Sequence, residues 1–205
     1  MNTITLLDYG AGNVPSVQRA LERQGLTSER ASTPQQIASA KILILPGVGH
    51  YAALIRALDE NSLRQPLLEK INDGTPFLGI CLGLQALFFS SDEAPELTGL
   101  QLLPGRVTTL PPTAKLPHMG WNTLELRRES RLLEGISEKD YFYFAHSYAA
   151  RNSAEKSSPA IATSHHGADF IAVLEHENIC AVQFHPEKSG APGARLLANF
   201  LRIHS

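Results

Sequence analysis

A short apolar stretch that runs directly into a cysteine constrains this chain more than any other feature. Phe77–Ile80 suits a buried strand, Cys81 follows at once, and the apolar residues after it favour a helix to about Phe89. Gly79 and Gly83 give the G-x-nucleophile-x-G spacing of a nucleophile elbow, where a Cβ would meet neighbouring backbone. The pattern predicts an exposed sulfur at a sharp strand-to-helix turn, with its anionic form favoured by free helix N–H groups. The alternative is a buried cysteine at an ordinary junction.

The first half of the chain alternates strands and helices. Strands are predicted over residues 3–7, 27–30, 41–45 and 77–80, and helices over 14–24, 35–40, 51–59, 63–72 and 82–89. This alternation predicts a parallel sheet with right-handed crossovers. In the second half, short strands are predicted over 100–103, 106–110, 122–126, 141–148, 160–164, 171–174 and 179–184, before an amphipathic helix over 190–202. Since no linker divides the chain, we expect a single domain over residues 1–205.

Composition excludes several classes of function. The chain has 205 residues, 43% of them apolar, and a net charge of −2 without any block rich in Lys or Arg. We therefore expect no nucleic-acid or membrane partner. No secretion signal or membrane-spanning run is recognisable, so Cys81 and Cys180 are expected as free thiols in a cytoplasmic protein. His165 and His166 lack partners at a ligand spacing, and no metal site or cofactor is expected.

A base for the cysteine follows a strongly apolar strand near the end of the chain. In the segment Phe184–Glu187, His185 and Glu187 are two residues apart and would share one side of an extended chain. The carboxylate could then orient the imidazole while the other ring nitrogen faces Cys81. Since the preceding strand should end at the same sheet edge as Cys81, we prefer this interpretation to an ordinary surface turn.

Two further loops carry glycines with possible chemical roles. The N–H of Leu82 and one from the loop Pro46–Gly49 are candidate donors to an oxyanion, although the loop could be an ordinary turn. Gly10 and Gly12 follow the first strand as in dinucleotide-binding folds, and Glu29 lies where a ribose-binding acid is expected. Pro15 occupies the third glycine position, which argues against nucleotide binding.

Taken together, these motifs resemble the class I (triad) glutamine amidotransferases. The resemblance lies in Gly79–Gln85 and in His185-Pro-Glu187. Within that class, the chain is similar to the glutaminase subunits of imidazole glycerol phosphate synthase. The segments that carry this closer similarity are Asp8–Asn13, Leu45–Gly49, Pro117–Asn122, Tyr143–Tyr148 and His185–Ser189. The resemblance covers nearly the whole chain and implies a three-layer α/β fold, with a mostly parallel mixed sheet between helices and a smaller antiparallel addition.

The resemblance also implies a role for individual residues. Cys81 would attack the side-chain amide of glutamine, His185 would act as base and then acid, Glu187 would orient it, and a thioester would be hydrolysed to glutamate. The N–H groups of Gly49 and Leu82 would hold the oxyanion, and the glutamine-binding positions would be Gln85, Tyr143, Ser147 and Tyr148. A (β/α)₈-barrel cyclase subunit would contact Asn13, Trp121 and Lys188, forming a heterodimer. It would use the ammonia to make imidazole glycerol phosphate and aminoimidazole carboxamide ribotide in histidine biosynthesis.

Three alternatives to this interpretation remain at this point. A stand-alone thiol hydrolase would use the same elbow without a partner and would have no use for an exposed Trp121. A dinucleotide-binding module would depend on Gly10 and Gly12. A catalytically silent regulatory subunit would not need an intact Cys81, His185 and Glu187.

Overall fold

The computed structural model describes residues 3–151 and 158–204. In chain order its elements are β1 (Ile4–Leu7), α1 (Val14–Glu22), β2 (Ser28–Ala31), α2 (Pro34–Ala38), β3 (Ile42–Gly47), α3 (Tyr51–Glu60), α4 (Arg64–Asn72), β4 (Phe77–Cys81), α5 (Leu82–Gln85), β5 (Phe88–Ser91), β6 (Leu103–Thr109), β7 (His118–Asn122), β8 (Glu125–Leu126), β9 (Phe142–His146), β10 (Tyr148–Ala150), β11 (Ala160–His165), β12 (Asp169–His176), β13 (Ile179–Val182) and α6 (Gly190–Ile203). Within this part of the chain, none of the helices combines the length and apolarity needed to cross a membrane.

Most strands belong to one mixed sheet. Its order is β2-β1-β3-β4-β13-β12-β11-β8, with parallel pairing from β2 to β13 and antiparallel pairing beyond. The last strand of the chain, β13, therefore lies beside β4, the elbow strand. This arrangement confirms the predicted parallel first half and antiparallel addition. Two smaller sheets, β10-β6-β5 and β7-β9, lie outside the main sheet.

The main sheet separates two apolar clusters. On β3, Leu43 and Leu45 belong to the cluster that contains the buried side chains of α3 and α4, whereas Ile42 and Ile44 belong to the cluster that contains those of α1 and α6. All four side chains are at most 3% exposed. A strand covered on both faces has no reason to alternate apolar and polar residues. The unbroken apolar sequence of β3 thus reflects its central place in a three-layer fold.

The structure differs from the sequence prediction just after the elbow. The predicted helix to Phe89 ends at Gln85, and Phe88–Ser91 forms a strand instead. That strand pairs in parallel with β6, more than ten residues further along the chain. The Leu103 N–H also donates to the Leu87 carbonyl at 2.9 Å. Tertiary pairing here overrides a helical local pattern. The predicted strand over 100–103 is also wrong, because pairing begins only at Leu103.

Candidate active site

The elbow at Cys81 has the geometry that its glycines predict. Cys81 adopts φ +55° and ψ −105°, outside the regions that non-glycine residues usually occupy. A Cβ on Gly79 would lie 2.6 Å from the Gly83 carbonyl oxygen, and one on Gly83 would lie 2.1 Å from that of Leu45. Only glycine permits such close approach at either position. The prediction of an exposed sulfur is wrong, since Cys81 is only 3% exposed and its sulfur faces an enclosed space rather than open solvent.

The parallel pairing of β4 with β13 brings the histidine to this turn. Val182 is level with Ile80, so the chain beyond β13 passes the end of the elbow strand. The His185 Nδ1 lies 3.0 Å from Glu187 Oε1, and these side chains are 3% and 1% exposed. This bond leaves Nε2 as the nitrogen available to Cys81. Sequence and structure agree that the three residues meet at one edge of the sheet.

The backbone of His185 is fixed from two sides. Its N–H donates to the Tyr143 carbonyl at 2.8 Å, and its carbonyl accepts from the Ser189 hydroxyl at 2.6 Å. The same hydroxyl accepts from the Tyr143 N–H at 3.0 Å. Ser189 is 1% exposed and therefore joins β9 to the histidine segment inside the protein. These bonds limit movement of the imidazole relative to the elbow.

The surroundings of His185 favour its protonated form. Burial alone would lower the pKa, but the charge of Cys81, hydrogen bonding with it, and the Glu187 carboxylate raise the pKa of His185 to about 10. An imidazolium beside the sulfur stabilises a thiolate. Cys81 is thus placed as the nucleophile, and His185 beside it carries a proton that it can give to a leaving group.

A cavity of about 120 Å³ opens in front of the sulfur. Its lining residues are Val48, Gly49, Cys81, Leu82, Gln85, Glu93, Ala145, His146, Ser147, Tyr148, His185 and Lys188. Pockets for drug-sized ligands measure roughly 300–1,000 Å³, so this cavity suits a much smaller molecule. The cavity brings together the predicted nucleophile, base and oxyanion donors with three of the four predicted glutamine-binding residues.

The two candidate oxyanion donors both border this cavity. Leu82 is the first residue of α5, where backbone N–H groups have no partner within the helix. Gly49 adopts φ +95°, and a Cβ added there would have no other atom within 4 Å. Gly47 allows close contact with the elbow, because a Cβ on it would lie 2.5 Å from Leu82 Cβ. The loop after β3 therefore packs directly against the turn that carries Cys81.

Gln85 presents a buried acceptor to the site. Its Nε2 donates to the Tyr148 carbonyl at 2.8 Å and to Gln183 Oε1 at 3.1 Å, which uses both amide hydrogens. Its Oε1 is buried and has no hydrogen-bond partner. A buried acceptor without a partner is costly unless a ligand or water supplies the donor. Gln183, whose Nε2 lies 3.6 Å from the Cys81 sulfur, was not singled out from the sequence.

Glu93 also lines the cavity, and no sequence pattern pointed to it. One of its carboxylate oxygens accepts from the Tyr51 N–H at 2.8 Å. The residue lies after β5, a strand that the local pattern did not predict, and a single acid in a loop gives no spacing signal. Only the folded structure shows that Glu93 lines the cavity together with Ser147 and Tyr148.

Two of the three predicted partner-contact residues, Trp121 and Lys188, lie close to the site. Trp121 is 56% exposed, and its ring meets that of Tyr143 edge-on at 5.9 Å between centroids. Lys188 Nζ lies 5.4 Å from the centroid of the Tyr143 ring. Tyr143 thus contacts Trp121 and Lys188. Tyr143 itself does not line the cavity, but residues 145–148 that follow it do. Asn13 stands at the start of α1, where its side chain makes no capping hydrogen bond.

The competing sites have structural explanations of their own. A Cβ on Gly12 would lie 3.1 Å from the Pro46 carbonyl oxygen, so this glycine serves loop packing, and Glu29 accepts from the Thr5 hydroxyl. Cys180 is a buried free thiol whose pKa is raised by burial, as expected for a core residue. Among residues 3–151 and 158–204, no group of His, Cys, Asp and Glu side chains could hold a metal ion.

Comparisons with known proteins show the family of this chain. The family model "Glutamine amidotransferase class-I" matches residues 5–203. The imidazole glycerol phosphate synthase subunit HisH of Methanothermobacter thermautotrophicus is 46% identical over 200 residues, which cover 98% of each chain. The chloroplastic imidazole glycerol phosphate synthase hisHF of Arabidopsis thaliana is 42% identical over 98% of this chain but only 34% of its own length. A solved glutamine amidotransferase structure superposes with a TM-score of 0.78 at 20% identity, covering 98% of both chains, and supports the fold.

Proposed function

The chain belongs to the class I glutamine amidotransferases, and we propose that it is the glutaminase subunit of an imidazole glycerol phosphate synthase. The observation that carries this proposal is the meeting of Cys81 and His185 at a small cavity lined by Gln85 with its unpartnered Oε1, while Glu187 bonds to His185 from behind the cavity lining. In this function the subunit releases ammonia from glutamine for use in histidine biosynthesis. The HisH relatives, which match over nearly their full length, support the same assignment.

The proposed reaction begins with attack by Cys81. Its sulfur forms a bond to the side-chain carbonyl carbon of glutamine, and the electron pair of the C=O bond moves to oxygen. The N–H groups of Leu82 and Gly49 stabilise that oxyanion. His185 gives its proton to the amide nitrogen, ammonia leaves, and a thioester remains. His185 then takes a proton from water, which attacks the thioester and regenerates the cysteine. Glu187 keeps the imidazole oriented in both steps.

The cavity also suggests how the amino acid is held. Gln85 Oε1 needs a donor, which an N–H of glutamine supplies. Glu93 places a carboxylate in the lining, where it would attract the α-ammonium group. Ser147 and Tyr148 border the same space.

We propose that a barrel cyclase partner binds the face formed by Trp121, Tyr143 and Lys188, and that it also contacts Asn13. Trp and Tyr side chains are typical of interface hot spots. Met119 and Tyr141 extend the exposed apolar surface at and beside the same small sheet, at 65% and 58% exposed. The Arabidopsis relative, in which this chain matches 34% of the length, leaves room for a second catalytic unit in one polypeptide. Such a biosynthetic heterodimer is expected in the cytoplasm.

A glutaminase assay with the partner tests the proposal. Glutamate release by the purified chain would be measured alone, with a purified barrel cyclase subunit, and with that subunit and its nucleotide ligand. We expect strong stimulation by the liganded partner and no glutamate release from Cys81→Ala under any condition. Cys180→Ala is the matched control, because that thiol is buried away from the cavity, and it should retain activity. Turnover by Cys81→Ala would exclude Cys81 as the nucleophile.

A further inference from the structure

Four buried side chains outside the triad form a chain of hydrogen bonds that reaches the sulfur of Cys81. Gln85, His118, His146 and Gln183 are each at most 6% exposed. Polar side chains at that depth are retained at a cost unless each donor and acceptor is paired. In this hydrogen-bond chain, the donor and the acceptor of each bond can be assigned in one consistent way.

The direction is set at the Tyr148 carbonyl, which can only accept. His146 Nδ1 lies 2.9 Å from that oxygen and must therefore carry a proton. If His146 is neutral, its Nε2 is an acceptor, and His118 Nδ1 at 3.1 Å must donate to it. His118 Nε2 is then an acceptor in turn, facing Asn122 Nδ2 at 3.3 Å. The other amide hydrogen of Asn122 goes to the His165 carbonyl at 2.9 Å.

The same Tyr148 carbonyl connects the histidines to the nucleophile. It also accepts from Gln85 Nε2, whose second hydrogen goes to Gln183 Oε1. This fixes the amide of Gln183 so that its Nε2 points to the Cys81 sulfur at 3.6 Å. Each member of the chain therefore determines the orientation of the next, from Asn122 on β7 to the elbow.

Both histidine rings are held in the neutral form that the hydrogen-bond chain requires. His118 stacks between the rings of Phe144 and His166, at 4.8 and 4.2 Å between centroids. Burial, assisted by the charge of His166, lowers the pKa of His118 to about 4. Burial likewise lowers the pKa of His146 to about 3, against the opposing effect of its bond to Tyr148. Both rings are accordingly neutral at neutral pH.

We propose that His118 and His146, as neutral Nδ1-protonated tautomers, are positioning residues that hold the Tyr148 carbonyl and, through it, Gln85 and Gln183 in place beside Cys81. In this hydrogen-bond chain, the two histidines do not contact the reacting atoms. We expect the two histidines to affect the shape of the cavity that binds glutamine. This inference rests on the proposed glutaminase function, but the hydrogen-bond pattern can be tested independently of activity.

The first test examines the wild-type chain by NMR. Long-range ¹H–¹⁵N correlation spectra of histidine-labelled protein at neutral pH distinguish the two neutral tautomers and the imidazolium. His118→Phe and His146→Phe serve to assign the signals. We expect both rings to be neutral with the proton on Nδ1. A proton on Nε2 of either ring, or an imidazolium, would overturn the proposal. This result stands even if the chain hydrolyses no glutamine.

The second test compares glutaminase kinetics with the liganded partner. His118→Phe keeps the stacked ring but removes both nitrogens, and the glutamine KM should rise roughly tenfold with a smaller fall in kcat. His118→Asn, whose Nδ2 can occupy the place of the ring Nδ1, should recover most of the loss. His166→Phe is the matched control, because it keeps the ring that stacks on His118 and loses only the bond of the ring nitrogen to the Lys115 carbonyl among the contacts described. Its kinetics should stay within about twofold of wild type.

Several outcomes of these kinetics would contradict the proposal. A folded His118→Phe with wild-type KM would do so, as would an equal loss in the His166→Phe control. A loss in His118→Phe that His118→Asn does not reduce would assign His118 a packing role only. If wild type itself released no glutamate, the proposed function would fail, whereas the NMR result would still decide the hydrogen-bond chain.

Discussion

Gly83→Ala should damage both the stability of this protein and its active site. A Cβ at this position would lie 2.1 Å from the Leu45 carbonyl oxygen and 3.2 Å from its carbon, so it would collide with the backbone of β3 rather than with a flexible side chain. Relief requires the elbow and β3 to move apart. Overpacking typically costs 1–3 kcal/mol, and a backbone clash belongs at about 3 kcal/mol or above. In a chain of this size that lowers Tm by roughly 6–12 °C.

The same displacement would move the Leu82 N–H and the Cys81 sulfur relative to each other. A shift of about 1 Å at a catalytic group can reduce kcat about 10²-fold. Stability would be measured by thermal and urea unfolding, and activity by glutamate release with the liganded partner. Gly74→Ala is the control: it has φ +84° and no atom within 4 Å of a Cβ, so only backbone strain is introduced, outside the cavity lining.

The control separates the clash from a general effect of replacing glycine. Gly74→Ala should lose about 1–2 kcal/mol from its left-handed backbone and keep wild-type kcat. A Gly83→Ala protein with Tm within about 2 °C of wild type and kcat within about twofold would show that the elbow tolerates a Cβ at this position, contrary to the prediction.

Three further predictions concern charge and the partner face. Glu187→Gln keeps the shape of the side chain but removes the charge that helps raise the pKa of His185, so kcat should fall about 10²–10⁴-fold; an unchanged pH–rate profile would contradict the assigned role. Trp121→Ala should weaken binding of the barrel subunit by about 2 kcal/mol or more in calorimetry. Glutaminase activity without the partner should not change. An unaltered affinity would show that the interface does not include Trp121. Acid should destabilise the fold, because the pKa values of His118 and His146 lie at about 4 and 3, below the usual 6.5, and the unfolded chain binds protons that the folded protein does not. Between about pH 6.5 and 5 each histidine should remove about 1.5 kcal/mol from the free energy of unfolding. His185 opposes this change by only about 0.4 kcal/mol, because it is protonated in the folded protein throughout that interval, while its protonation in the unfolded chain rises from about half to nearly complete. Urea titrations of wild type and His118→Phe check this prediction, since the variant should lose less stability over that interval, and equal losses would contradict it.

The regular part of the fold was predictable because its signals are local. The apolar run of β3 and the spacing around Cys81 depend on neighbouring residues and on backbone sterics, which do not change with tertiary context. The meeting of Cys81 with His185 could also be predicted, because parallel strands end at one edge of a sheet. The pairing of β13 with β4 then confirmed it.

The predictions that failed involve segments whose partners are distant in sequence. Phe88 and Phe89 continue a helical pattern, yet they form a strand because β6 offers backbone partners at that place. Loop residues such as Glu93 gave no signal for a related reason: one acidic residue has no periodicity. Its place beside Tyr148 in the cavity lining exists only after the chain has folded around β5 and β10.

Local sequence is sufficient to predict the strand–turn–helix at Cys81, the His185–Glu187 pair and the layered sheet that aligns them. Glycine sterics and apolar periodicity are properties of a few adjacent residues, so they can be recognised without a structure. The bonds between buried polar atoms, in contrast, depend on the complete fold. Gln85 and Gln183 are 98 positions apart in sequence, and His118 and His146 are 28 apart. Their bonds follow from packing that fixes each side chain to within the narrow distance and angle that a hydrogen bond requires.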